Sequence, residues 1–122
     1  MKKDDSVYVE NMLLYILQLE KFVSEKSYDD FLGKAEIQSH VIRLLEIIGE
    51  ASTKVSKDLK DKYPEVIWAK LKGMRNILVH DYGNIKLNVV WNTAISGIDP
   101  LKKQVIQILK ENYPQILNNY DI

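Results

Sequence analysis

Apolar residues recur along this chain at steps of three and four, the spacing that gathers them on one face of an α-helix. Val9, Met12, Leu13, Ile16, Leu17, Leu19, Phe22 and Val23 trace one such stripe and predict an amphipathic helix over residues 5–24. Ser27, with Asp30 three residues on, has the form of a capping pair, so a short helix is expected from Tyr28 to Gly33. The clearest stripe is Ile37, Val41, Leu44, Ile48, Ala51 and Val55, thickened by Leu45; it predicts a long helix over 34–56. A polar run from Ser56 to Tyr63 reads as a connecting loop. Pro64 suits the first turn of the next helix, where no N–H is needed. Ile67, Leu71, Met74 and Leu78 mark that helix, which is expected to end near Asp81–Gly83. Trp91, Ala94, Ile98, Leu101, Val105 and Ile108 carry the last stripe, with Asn88 as its N-cap. That stripe passes Pro100 in phase, which predicts one helix kinked near Gly97–Pro100 rather than two unrelated ones. The tail from Tyr113-Pro114 onward is expected to be short and peripheral.

Four main helices with short connections predict an all-α antiparallel four-helix bundle, with one short extra helix and a Pro-kinked last helix. The 122 residues leave room for one core, so residues 1–122 are expected to form a single domain. Five Gly and three Pro are too few for a turn-rich β-sandwich. The first apolar run is interrupted by Glu10, Asn11 and Gln18, unlike a secretory signal, and no window is long and uncharged enough to span a bilayer. The expectation is a cytoplasmic protein without a membrane partner.

Composition then narrows the chemistry. The absence of Cys removes disulfide scaffolds, zinc ribbons and thiol nucleophiles. No Gly-x-Ser-x-Gly turn, clustered metal ligands or Gly-rich phosphate loop is present, so neither metal nor cofactor is expected. Net charge is zero, which argues against coating nucleic acid by bulk charge but not against a local site. Residues 54–75 hold seven bases against three acids, read either as a solvated face or as a contact for a phosphate backbone.

One segment concentrates reactive side chains: Gly73-Met74-Arg75-Asn76-Ile77-Leu78-Val79-His80-Asp81-Tyr82-Gly83. The chain has 15 Lys but only two Arg, so an arginine here suggests a need for a planar, permanently charged fork. Arg75 could offset charge on a phosphorane, His80 could move protons near neutral pH, and Asn76 and Tyr82 could orient by hydrogen bonds. On one helix Arg75 and His80 lie about 140° apart. A single helix would not aim both at one phosphate, whereas two copies facing across a two-fold axis would, so the spacing favours a homodimer. The competing structural reading is a surface ion pair and a histidine favoured by the helix dipole. Glycine at position 49, inside the long helix, costs about 1 kcal/mol against alanine; a close helix approach, possible at a two-fold interface, would explain it. Glu46 and Glu50, one turn apart with Arg43 before them, read either as surface pairing or as part of the site. His40 reads as an edge histidine, and Trp68 and Trp91 as core or interface anchors.

Arg75-Asn76-x-x-x-His80-x-Tyr82 resembles the Arg-x-x-x-x-His-x-Tyr motif of HEPN ribonucleases, in their HepT-like toxin branch. Val41 to Ala51, with Arg43, Glu46, Gly49 and Glu50, is similar to that branch's second block. Tyr63-Pro64-Glu65 leading to Trp68, and Val90-Trp91, also match, so the resemblance spans about residues 5–110. It implies a metal-independent endoribonuclease toxin that dimerises with its motifs meeting in a cleft. It also implies a small nucleotidyltransferase antitoxin able to attach AMP to Tyr82. In that reading His80 acts as general base or acid on the RNA 2′-hydroxyl, Arg75 stabilises the phosphorane and Asn76 supports either. Lys70, Lys72 and Arg43 would hold the RNA backbone. Gly83-Asn84-Ile85-Lys86 departs from the family, which often has an aromatic residue, Gly and an acid there. The alternative function is a non-catalytic helical module that binds a nucleotidyltransferase or nucleotides in the same cleft.

Overall fold

In the computed structural model, which describes residues 4–122 apart from the Tyr82 side chain, the first stripe folds as α1, Asp5–Ser24. Asp4 starts it, its carboxylate accepting the Ser6 N–H at 2.9 Å. The Ser27–Asp30 pair closes a full capping box on α2, Tyr28–Gly33. That short helix delivers Phe31 to the core against Trp91, with ring centroids 5.1 Å apart. The long stripe becomes α3, Ala35–Lys54.

The polar run after it is not a loop. Ser56 caps a further helix, α4, Lys57–Lys62, by accepting the Leu59 N–H, and Leu59 is buried beneath it. Ser56 also ties this corner to the start of α1: its N–H and hydroxyl donate to the two Asp5 carboxylate oxygens at 2.7 and 2.6 Å. Pro64 falls in the turn between α4 and α5 rather than in a helical first turn, because α5 begins at Trp68 and runs to His80.

The last stripe runs through three pieces without leaving right-handed helical backbone. They are α6, Leu87–Asn92; a π-helical segment, Thr93–Gly97; and α7, Asp99–Asn112. Ile98 N–H donates to Thr93 O at 2.9 Å, the i→i−5 bond of a wide turn. The expected disturbance near Gly97–Pro100 is thus a π-segment, and Pro100 falls in the first turn of α7, where its missing N–H leaves nothing unpaired. Asn88 is not a cap: α6 starts one residue earlier, with Lys86 at its N-cap.

These helices form an all-α bundle in which α3 packs on α1 and α5, and α7 closes against α1. Val9, Met12, Ile16, Val41, Ile48, Val105 and Ile108 are wholly buried between them. The tail forms α8, Pro114–Leu117, and is fastened by the Tyr120 hydroxyl, which donates to Glu10 at 2.8 Å. Burial first, and the Glu10 carboxylate second, push that hydroxyl up to about 12. Among the described residues no helix is long and apolar enough to cross a membrane.

Candidate functional site

The residues of interest are carried by α5, and both ends of that helix are tied down. At its start the Trp68 indole donates to Tyr63 O at 3.0 Å, and Leu71 and Leu78 bury one face. At its end Asp81 N–H donates to Ile77 O, and the Asn84 amide donates to the Asp81 carboxylate at 2.8 Å across the 3-10 turn Tyr82–Asn84. Tyr82 opens that turn; its side chain lies outside the described structure.

Arg75 and His80 have different surroundings. The Arg75 side chain is only 20% exposed and its Nη1 lies 3.3 Å from Glu50 Oε2. Its stem rests on α3 at Gly49, where an added Cβ would fall 2.8 Å from Arg75 Cβ and 3.2 Å from Leu71 O. Gly49 is therefore used within the chain, for the α3–α5 crossing, and its presence does not call for a two-fold interface. His80 is the last residue of α5 and is exposed, as is Asn76 one turn before it. On a regular helix Asn76 and His80 are about 40° apart, while Arg75 sits about 140° from His80. Within one chain the structure thus groups Asn76 with His80 and sets Arg75 apart.

Glu46 and Glu50 both line a groove of about 580 Å³ between α1 and α3, with Tyr8, Tyr15 and Arg43 beside them and Val79 of α5 at its edge. Arg43 pairs with Glu46 at 3.1 Å and Arg75 with Glu50, so the chain's two guanidinium groups are held by neighbouring carboxylates. Sequence spacing flagged Glu50 but not its partner, because α3–α5 pairing is a tertiary fact. Tyr8 and Tyr15 stand outside the apolar stripe that marks α1; their seven-residue separation is the sign in the sequence that they share a face.

The lysines are scattered. Lys70 lines a larger, mainly apolar groove of about 820 Å³ between α5 and the α6–α7 unit, with Ile67, Met74, Ile77 and Val89. Lys72 lies about 160° round the helix from Lys70, so the two do not form one patch. In α4, Lys57 pairs with Asp61 at 2.8 Å, Lys60 lies 5.8 Å from the centre of the Trp68 ring, and Lys62 reaches Asn112. His40 is exposed, edge-on to Phe22 at 4.4 Å, while Trp91 is buried and Trp68 half-buried. Among the described residues no three His, Cys, Asp or Glu side chains are grouped to hold a metal ion.

Comparison with known proteins adds a family. Residues 12–108 match the family described as ribonuclease HepT-like. A protein of Thermococcus cleftensis named "Probable ribonuclease HepT" is 36% identical over 110 residues, covering 90% of this chain and 100% of that one. A protein of Methanocaldococcus jannaschii, whose name marks it as an inferred RNase, is also 36% identical over 110 residues, with 90% and 95% covered. A similarly named protein of Caldanaerobacter subterraneus is 35% identical over 103 residues, with 81% and 92% covered. No solved structure matches the chain.

Proposed function

The chain belongs to the HepT-like ribonuclease family, and from that premise we propose that it is a metal-independent endoribonuclease, the toxin of a toxin–antitoxin pair. The observation that carries this reading is the arrangement on α5. A half-buried arginine held by a carboxylate and an exposed histidine beside an asparagine sit on one short helix.

The reaction is an in-line displacement at phosphorus. His80 takes the proton of the RNA 2′-hydroxyl as the 2′-oxygen attacks. The bond from phosphorus to the 5′-oxygen breaks, and that oxygen takes a proton from water. The products are a 2′,3′-cyclic phosphate and a 5′-hydroxyl. Arg75 opposes the charge that builds on the non-bridging oxygens. Asn76, one turn from His80, orients the imidazole or the scissile group, and Arg43, Lys70 and Lys72 contact the RNA backbone at its flanks. Because Arg75 and His80 are about 140° apart on α5, a complete site takes Arg75 from one protomer and His80 from the other.

The antitoxin is a small nucleotidyltransferase that transfers AMP from ATP to the Tyr82 hydroxyl: the tyrosine oxygen bonds to the α-phosphorus, the α–β anhydride bond breaks, and pyrophosphate leaves. The adenylyl phosphate adds negative charge and bulk in the motif's own turn, where both oppose an RNA phosphate. Co-expression with the enzyme encoded beside the gene, followed by peptide mass spectrometry, tests this step. The expected result is one or more AMP units on the Tyr82 peptide, lost in Tyr82→Phe; an unmodified toxin held in a stable complex would mean inhibition by occlusion.

Ribonuclease activity itself is tested with purified protein and RNA in EDTA. Wild type is expected to leave cyclic-phosphate ends and His80→Ala to leave the RNA intact. RNA untouched by wild type would favour a non-catalytic binding module.

A further inference from the structure

Among the described residues, one buried side-chain polar atom lacks a hydrogen-bond partner, and it is Arg75 Nε. Its burial follows from the contact with α3. At Gly49 an added Cβ would come within 2.8 Å of Arg75 Cβ and 3.4 Å of its Cγ, so the stem lies directly on the helix backbone. The far end is caught by the adjoining residue, Glu50, at 3.3 Å from Nη1. Each of these features is unfavourable or weak for stability alone. Glycine inside a helix is worse than alanine, and a buried donor without an acceptor is worse than a solvated one. A half-exposed ion pair returns little. An alanine at 49 and an arginine lifted into solvent would avoid the first two.

We infer that Gly49 and Glu50 are positioning residues for Arg75. Gly49 admits the arginine stem to the α3 surface, and Glu50 fixes the direction of the fork. Consecutive residues of one helix thereby hold a side chain of another at both its near and far ends. On the ribonuclease reading of Arg75, on which this inference rests, the fork meets the phosphorane already oriented, and no freedom is lost in the transition state. Alanine at 49 would push the stem off α3; glutamine at 50 would keep the shape and remove the charge that orients the guanidinium.

The chain's two arginines make the test direct. Full-length protein labelled with 15N gives two arginine Nε–H signals, assigned by their loss in Arg43→Lys and Arg75→Lys. In wild type the Arg75 signal is expected to exchange slowly with water and the Arg43 signal, on an exposed side chain, quickly. Gly49→Ala and Glu50→Gln should each speed Arg75 exchange while leaving Arg43 unchanged and the circular dichroism helical. In single-turnover cleavage of RNA the same variants should lose about 100-fold in rate with little change in KM, the size expected for a misaligned catalytic group. Should Gly49→Ala fail to fold, Glu50→Gln carries both readouts. Wild-type exchange and wild-type rate in Glu50→Gln would overturn the inference. An RNA-inactive wild type would overturn the ribonuclease reading instead, and the exchange measurements would still decide whether Gly49 and Glu50 hold Arg75.

Discussion

His80 and Arg75 are five residues apart, and their neighbours make them respond differently to truncation. His80 is exposed at a helix end, with nothing packed on it that the fold depends on. His80→Ala is expected to abolish RNA cleavage and change the unfolding free energy measured in urea by less than about 0.5 kcal/mol. Arg75 covers part of α3 with its stem and faces Glu50. Arg75→Ala should therefore also abolish cleavage but cost about 1 kcal/mol of stability, mostly from lost packing rather than from the partly exposed ion pair. Equal destabilisation by the two, measured in urea under the same conditions, would contradict these assignments.

Among the elements, α4 shows how a polar run becomes a helix. Its sequence, Lys57 to Lys62, has one large apolar residue, Leu59, too few to show a period. The helix forms because Ser56 supplies a cap and Leu59 finds a core to enter. Ser56 also donates twice to Asp5, 51 positions earlier, and so joins the starts of two helices. Ser56→Ala is expected to cost about 1–2 kcal/mol by chemical denaturation, since it removes a cap and one of the bonds to Asp5. A loss well under half a kcal/mol, set against that estimate, would mean the backbone bond to Asp5 suffices. Between α6 and α7 the conflict runs the other way. Periodicity asks for one helix, Pro100 forbids an ordinary bond, and the π-segment satisfies both.

For the whole molecule, the outstanding question is where the second half of the site comes from. Asn76 and His80 face outward, and a Cβ at Gly73, three residues before Asn76, would meet nothing within 4 Å, so this side of α5 is unused by the chain's own packing. Two copies meeting there would complete the proposed site. Sedimentation is expected to show a dimer at micromolar concentration. Mixing inactive Arg75→Ala with inactive His80→Ala should restore part of the cleavage, because one site in the mixed dimer keeps both groups. An active monomer, or a mixture that stays inactive while dimers exchange, would contradict a shared site.

The chain by itself determined the bundle, because its stripes at 9–23, 37–55, 67–78 and 91–108 each have one way to be buried, against one another. It also determined the family, since Arg75, Asn76, His80 and Tyr82 keep a fixed spacing that survives any packing. Only the tertiary structure decided what surrounds them. Local periodicity says which face of a helix is covered, not which helix covers it. Hence the pairing of Glu50 with Arg75 and the use of Gly49 against α5 emerge only with the helices in place. The same holds for α4, whose cap and tether lie at the meeting of segments far apart in the chain.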